Sequence, residues 1–164
     1  MKRLFACLLA LCLLLGLTAC SSDASTIGII GGADGPTAIF ITTGQGDITE
    51  DGWYYSAPEV ALYLYTYGHL PDNYITKEEA RDLGWEGGSV EVYAPGCAIG
   101  GDEFGNREGL LPEETGRVYY ECDIDTNGQP ERGAKRIVYS NDGLVYYTED
   151  HYESFMAIYG EEQP

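Results

Sequence analysis

Positive charge is what this chain has least of. Nine Lys and Arg stand against 27 Asp and Glu, a net charge of −18 over 164 residues. Affinity for nucleic acid ordinarily rests on Lys and Arg at phosphates. So acidic a chain makes a poor general nucleic-acid binder, and any RNA chemistry here must use a locally positive cleft. Histidine is scarcer still, with only His69 and His151. Two distant histidines and no closely spaced cysteine pair exclude the zinc-site patterns. No G-x-G-x-x-G is present, so no dinucleotide fingerprint follows. There is no internal repeat and no low-complexity tract.

The five cysteines are few enough to place one by one. Cys7 and Cys12 fall in an apolar N-terminal run, behind Lys2 and Arg3. That pattern is a signal peptide over 1–19. Its end, Leu17-Thr18-Ala19-Cys20, resembles a bacterial lipobox. The resemblance implies cleavage before Cys20, a diacylglyceryl group on its sulfur, and a domain held at the outer face of the cytoplasmic membrane. An uncleaved membrane anchor is the other reading, and both make the domain extracellular. Lys2 and Arg3 leave with the signal, so seven basic residues face 27 acidic ones, a net charge of −20. Cys97 and Cys122 remain as thiols of an exported domain.

Residues 20–52 read as a lipid-anchored tether. Within it Ile27–Thr43 is apolar and glycine-rich, and resembles a segment of the β subunit of sodium-pumping decarboxylases. One such segment cannot make an ion path, so it is read as an apolar stem. The domain proper is expected over 53–160. Ser56-Ala57-Pro58-Glu59 is a capping box with proline in the first turn, opening an apolar helix that Gly68 ends. Thr76-Lys77-Glu78-Glu79 is a second capping box, for a short helix through Leu83. A strand is expected over Ala98–Phe104 and a loop over Gly105–Pro112. Val118–Ile124, Lys135–Ser140 and Leu144–Thr148 then read as three antiparallel strands, with Asn141-Asp142-Gly143 as a turn. Helices followed by strands predict an α+β fold, N-terminal helices packed on an antiparallel β-sheet.

The alternation of the first two of these three strands carries the chemistry. It sets Glu121 apart from Cys122 and allows Glu121 and Arg136 one face, with Arg132 in the turn and His151 just past the third strand. A carboxylate, two guanidiniums and an imidazole can cleave an RNA phosphodiester. One group takes the 2′-OH proton, one protonates the 5′ oxygen, and the arginines hold the phosphorane charge. The same pattern also fits a cross-strand ion pair on a solvated face with a surface histidine nearby. The spacing leaves both open.

Three further stretches bear on the choice: LPDNYITKEEA (70–80), IGGDEFGNREGLLP (99–112) and DHYESF (150–155). In order along the chain, with Glu121, Arg132, Arg136 and His151, they resemble the barnase-like microbial guanyl-preferring ribonucleases. The resemblance implies the microbial ribonuclease fold and a metal-independent, cofactor-free endoribonuclease. Glu121 would be general base and His151 general acid, with Lys77, Arg132 and Arg136 as phosphate and transition-state cations. Phe104, Gly105, Asn106, Arg107 and Glu108 would form the guanine-reading loop, and Tyr152 an aromatic beside the substrate. It admits a Cys97–Cys122 bridge, the two lying at the start of one strand and within its neighbour. It also admits a barstar-like inhibitor protein as partner, and it implies a monomer.

Departures from that family pattern are visible. The stretch from Trp85 to Pro95 is short and the turn from Ile124 to Arg132 is long, which bears on where Arg132 sits. Gly105 stands where a small polar residue is usual. Asp123-x-Asp125-x-Asn127-Gly128 matches half a calcium loop, but Ala134 holds the twelfth position and Pro130 interrupts it, so no metal site is assigned.

Overall fold

The computed structural model describes residues 48–160. The signal peptide, Cys20 and Ile27–Thr43 lie outside the described residues. Two helices and six strands follow in order: α1 (Ala57–Tyr67), β1 (Tyr74–Ile75), α2 (Lys77–Asp82), β2 (Ala98–Phe104), β3 (Tyr119–Asp123), β4 (Arg136–Ser140), β5 (Val145–Thr148) and β6 (Met156–Tyr159). The strands form one sheet in chain order, β1 to β6.

Both helices start where their capping boxes place them. Ser56 gives its hydroxyl to Glu59 at 2.5 Å, and Thr76 gives its backbone N–H to Glu79 at 2.8 Å. In the second box the Glu79 backbone N–H returns a bond to the Thr76 hydroxyl at 3.2 Å. Gly68 ends α1 in the left-handed region (φ 77°), where a side chain would be strained, and its N–H closes on Leu64.

The antiparallel expectation needs one correction. β1 runs parallel to β2, pairing Tyr74 with Ala98, so the sheet is mixed. Two residues are too few to show an alternation, and β6 is little longer. Residues 48–52, assigned to the tether from sequence, already hold to the domain. Tyr63 donates to the Glu50 carbonyl at 2.7 Å, and Tyr67 to that of Ile48 at 3.4 Å.

The sheet has two unlike faces. On one, α1 lays Val60, Ala61 and Leu64 against Cys122, Ile137 and Val145. On the other, Tyr119, Val138 and Tyr146 join Leu111 and Leu144 in a second cluster, with Phe104, Tyr152 and Phe155 at its edge. That second face also carries Glu121, Asp123 and Arg136, because β3 and β4 pair Glu121 with Val138 and Asp123 with Arg136. The alternation of these two strands read correctly from the sequence. A third cluster, Ala80, Trp85, Val90 and Ile99, seats α2 against β2.

The Cys97–Cys122 bridge admitted above is not formed, and both thiols are free. The register explains it. Cys122 lies across from Gly100 and points into the α1 side of the sheet. Cys97 packs with Ile99, whose side chain points the other way. Burial pushes both thiols above their usual range.

Candidate active site

Glu121 stands mid-sheet on β3 and is 7% exposed. One carboxylate oxygen accepts from the Lys77 ammonium, the other from the Tyr152 hydroxyl. Lys77 arrives there because α2 begins at that residue. Its backbone N–H is fixed by Asp102 at 3.0 Å, and Asp102 faces Glu121 across the β2–β3 ladder. Burial alone would push the Glu121 carboxyl up. The hydrogen bonds from Lys77 and Tyr152, with the charges of Lys77 and Arg136, outweigh it and hold the carboxyl below its usual range. The Tyr152 hydroxyl is pushed far up by burial and by its bond to Glu121.

Two residues on, Asp123 is 2% exposed and organises the arginines. Arg132 grips it with two bonds, Nε at 2.7 Å and a terminal nitrogen at 2.8 Å. Arg136, also 2% exposed, brings its Nε to 2.9 Å from the same carboxylate. That nitrogen has charge contact without hydrogen-bond alignment. A terminal nitrogen of Arg136 donates to the carbonyls of Lys135 and Arg132, at 2.7 and 3.3 Å. Arg132 also lies 5.7 Å over the Trp85 ring. The long turn that put Arg132 in question is docked on the short stretch after Trp85. Ser89 donates to the Pro130 carbonyl at 3.1 Å, and the Gly128 N–H to Glu91 at 3.0 Å. The two departures complement each other.

Asp123 is the residue that sequence reasoning missed in this role. Its signal was present, since it shares the face of Glu121 two positions away. It was read instead as part of half a calcium loop. Its oxygens serve arginines, and Asp125, the next carboxylate of that motif, bonds Lys135 at 2.6 Å.

His151 follows β5 in a tight turn. Asp150 accepts from the Thr148 hydroxyl at 2.8 Å, and from the Ser154 N–H and hydroxyl at 3.0 and 2.5 Å. These bonds hold its carboxyl down at about 2. Tyr152 donates its N–H to Thr148 at 3.0 Å. The turn needs His151 and Tyr152 both in the left-handed region, φ 59° and 76°. Such residues cost about 1–3 kcal/mol each and persist where the surroundings over-determine them. The His151 ring is exposed and lies 4.7 Å from that of Tyr152.

The loop after β2 makes an open pocket lined by Glu103, Phe104, Gly105, Asn106, Arg107 and Glu108. Asn106 is its brace. It adopts φ 40°, which asparagine tolerates. Its side chain donates to the Leu111 carbonyl at 2.9 Å and accepts the Leu111 N–H at 3.0 Å. Arg107 and Glu108 stay exposed on the rim. The Phe104 ring lies 5.2 Å from Tyr152, which ties this pocket to Glu121 and His151. A side chain at Gly105 would meet only Arg107, at 3.6 Å, so its absence widens the pocket without being forced by packing. Lys77, Glu121, Tyr152, Arg136 and Arg132 are thus brought into one polar cluster through direct bonds and Asp123. His151 and the loop join it through aromatic rings.

A mixed sheet with α1 on one face and a cluster of one buried carboxylate pair and three cations on the other suits phosphate-ester chemistry. Residues 57–159 match the ribonuclease family. The chain is 52% identical over 102 residues to a ribonuclease of Heyndrickxia coagulans, covering 60% of this chain and 92% of that one. It is equally identical over 102 residues to a ribonuclease of Bacillus intermedius, of which it spans 62%. It is 38% identical over 93 residues to guanyl-specific ribonuclease Sa3 of Kitasatospora aureofaciens, covering 56% of this chain and 60% of that one. The chain belongs to the ribonuclease family and is an endoribonuclease of it.

Proposed function

We propose that this enzyme cleaves single-stranded RNA on the 3′ side of guanine, through a 2′,3′-cyclic phosphate. The observation that carries the reading is the buried Glu121 carboxylate, kept ionised by Lys77 and Arg136 on the same sheet face as the His151 turn. Glu121 takes the 2′-OH proton, and the freed oxygen attacks phosphorus in line. His151 gives a proton to the departing 5′ oxygen. Lys77, Arg132 and Arg136 hold the charge that gathers on the phosphoryl oxygens. In the second step water replaces the nucleoside and the two residues exchange roles. The three cations supply charge that a metal would otherwise bring.

The guanine preference rests on the pocket of the Phe104–Glu108 loop. Backbone N–H groups there suit the base carbonyl oxygen, and the exposed Glu108 carboxylate suits the base N–H pair. The lipobox-like Leu17–Cys20 supports an exported, lipid-anchored enzyme, active as a monomer. A barstar-like inhibitor is a compatible partner for the cationic site. The test is cleavage of oligoribonucleotides with chelator present. Cutting after guanine with a cyclic-phosphate intermediate is expected, and a deoxyribose at that guanine abolishes it. Cleavage that needs added metal, or none at all, sinks the reading.

A further inference from the structure

Among the described residues, six large apolar side chains stay exposed: Trp53, Tyr65, Leu83, Val92, Tyr93 and Leu110. Scattered singly, such residues need no explanation. Four of the six share one surface. Val90 is buried in the cluster with Ala80, Trp85 and Ile99, and a turn closes on its carbonyl, with the N–H groups of Tyr93 and Ala94 both at 2.9 Å. That turn leaves Val92 and Tyr93 facing out. Tyr93 lies over Gly84, next to Leu83, where an added side chain would meet the tyrosine ring at 3.7 Å. The Trp53 ring lies on Gly96, three residues past Tyr93, where a Cβ would come within 2.5 Å of it. Trp53, Tyr93, Val92 and Leu83 thus adjoin, at exposures from 41% for Tyr93 to 83% for Val92.

Grouped exposed apolar side chains mark a docking surface. Tryptophan and tyrosine beside aliphatic residues are the mixture that settles at a membrane–water interface, apolar body inward and polar edge outward. The chain enters the described domain at Ile48, five residues before Trp53. From Cys20 to that point it reaches at most about 95 Å, whatever its path. A lipid on Cys20 therefore keeps the patch within range of the bilayer. Docking becomes intramolecular, and a contact too weak to hold a free domain suffices.

We infer that Trp53, Leu83, Val92 and Tyr93 form a bilayer-docking surface, which seats the domain on the membrane that anchors Cys20. The inference rests on the lipid anchoring proposed above. No helix among the described residues is long and apolar enough to cross a membrane, so the contact is peripheral. Exposed Asp51, Asp82 and Glu86 adjoin the patch along the chain, with Arg81 opposing them. This excess of carboxylates favours an uncharged lipid surface over an anionic one. The patch lies at the start of β2, where Trp85 and Val90 pack on Ile99, and the base pocket lies past its end at Phe104. Strand rise sets the two ends roughly 20 Å apart, so a docked domain keeps that pocket on its outer side.

The experiment uses the full chain, purified with its lipid and reconstituted on phosphatidylcholine vesicles with brominated acyl chains. The sequence has two tryptophans, and Trp85 is 6% exposed, so the emission lost in Trp53→Phe reports the patch. That emission is expected to shift to the blue and to be quenched by the bromine. Val92→Glu removes no buried contact. It should abolish the shift and the quenching, with anchoring and cleavage of a guanine-containing oligoribonucleotide unchanged, while Val92→Leu keeps both signals. Phosphatidylglycerol vesicles should quench less at low salt than at moderate salt, where the carboxylates are screened. Quenching that Val92→Glu leaves intact, or none on a chain that carries the diacylglyceryl mass and sediments with the vesicles, overturns the inference. Dimerisation without lipid that Val92→Glu removes also overturns it and gives the patch to a second copy. Failure of the anchoring reads differently: the mature chain lacks the diacylglyceryl mass and stays in the supernatant, and the docking falls with it.

Discussion

Around Glu121 the site is held by single contacts, and around Asp123 by paired ones. Each Glu121 oxygen has one partner, an ammonium on a flexible stem and a tyrosine hydroxyl. Asp123 is clasped by a two-bond guanidinium grip and a second arginine buried beside it. The two carboxylates are two residues apart on one strand, share a face and are both buried. In the proposed mechanism, partners that substrate can displace leave Glu121 available as a base, and partners that close around Asp123 make it the fixed counter-ion of two arginines that would meet the phosphate. Burial and charge alone would not have told them apart; the number and rigidity of the partners does.

The comparison breaks if activity does not separate the two ends. Glu121→Gln should cost roughly 10²–10⁴-fold in kcat while leaving KM nearly unchanged, measured on a guanine-containing oligoribonucleotide. A fall confined to KM would mean that Glu121 binds substrate and takes no proton. Asp123→Asn should act the other way round, on stability first. It leaves Arg136 buried without a full counter-charge, a situation that costs about 3–5 kcal/mol, read as a lower denaturation midpoint. A loss under about 1 kcal/mol would show the paired grip to be incidental.

A smaller effect sharpens the Glu121 end. Tyr152→Phe removes one of the bonds that hold the Glu121 carboxyl down, so its pKa should rise toward the ordinary value. The acid limb of the rate–pH profile should then move to higher pH, with the ring contact to Phe104 retained. An unmoved limb would mean that the tyrosine hydroxyl does not bear on the base. Stability has its own pH signature here. A depressed folded-state pKa means that Glu121 stabilises fully above its unfolded value, near about 4.3, and that the contribution is lost as pH falls through the lower folded value. The stability gap between wild type and Glu121→Gln should close in that acid window.

The smallest effect lies one step farther along the chain. Asp125 meets Lys135 at 2.6 Å with both side chains nearly half exposed. Asp125→Asn should change stability by less than about 1 kcal/mol, and less again in added salt. A cost comparable to Asp123→Asn would mean that spacing on the strand, rather than burial, sets these values.

Local chemistry alone settled a good part of this protein. Ser56–Glu59 and Thr76–Glu79 cap helices because a capping box closes within four residues. The alternation of Val118–Ile124 decides that Glu121 and Asp123 share a face. Only the tertiary structure decided what those side chains meet. That Asp123 holds both Arg132 and Arg136, that the Tyr152 hydroxyl closes on Glu121, that the long turn rests on Ser89 and Glu91, and that Cys97 and Cys122 point to opposite sides are all facts of register between distant segments. So are β1 and β6, too short to carry a period of their own. Periodicity is a property of neighbours along the chain. Pairing depends on which strand lies beside which, and in what phase, and that is set by the burial of the whole sheet at once.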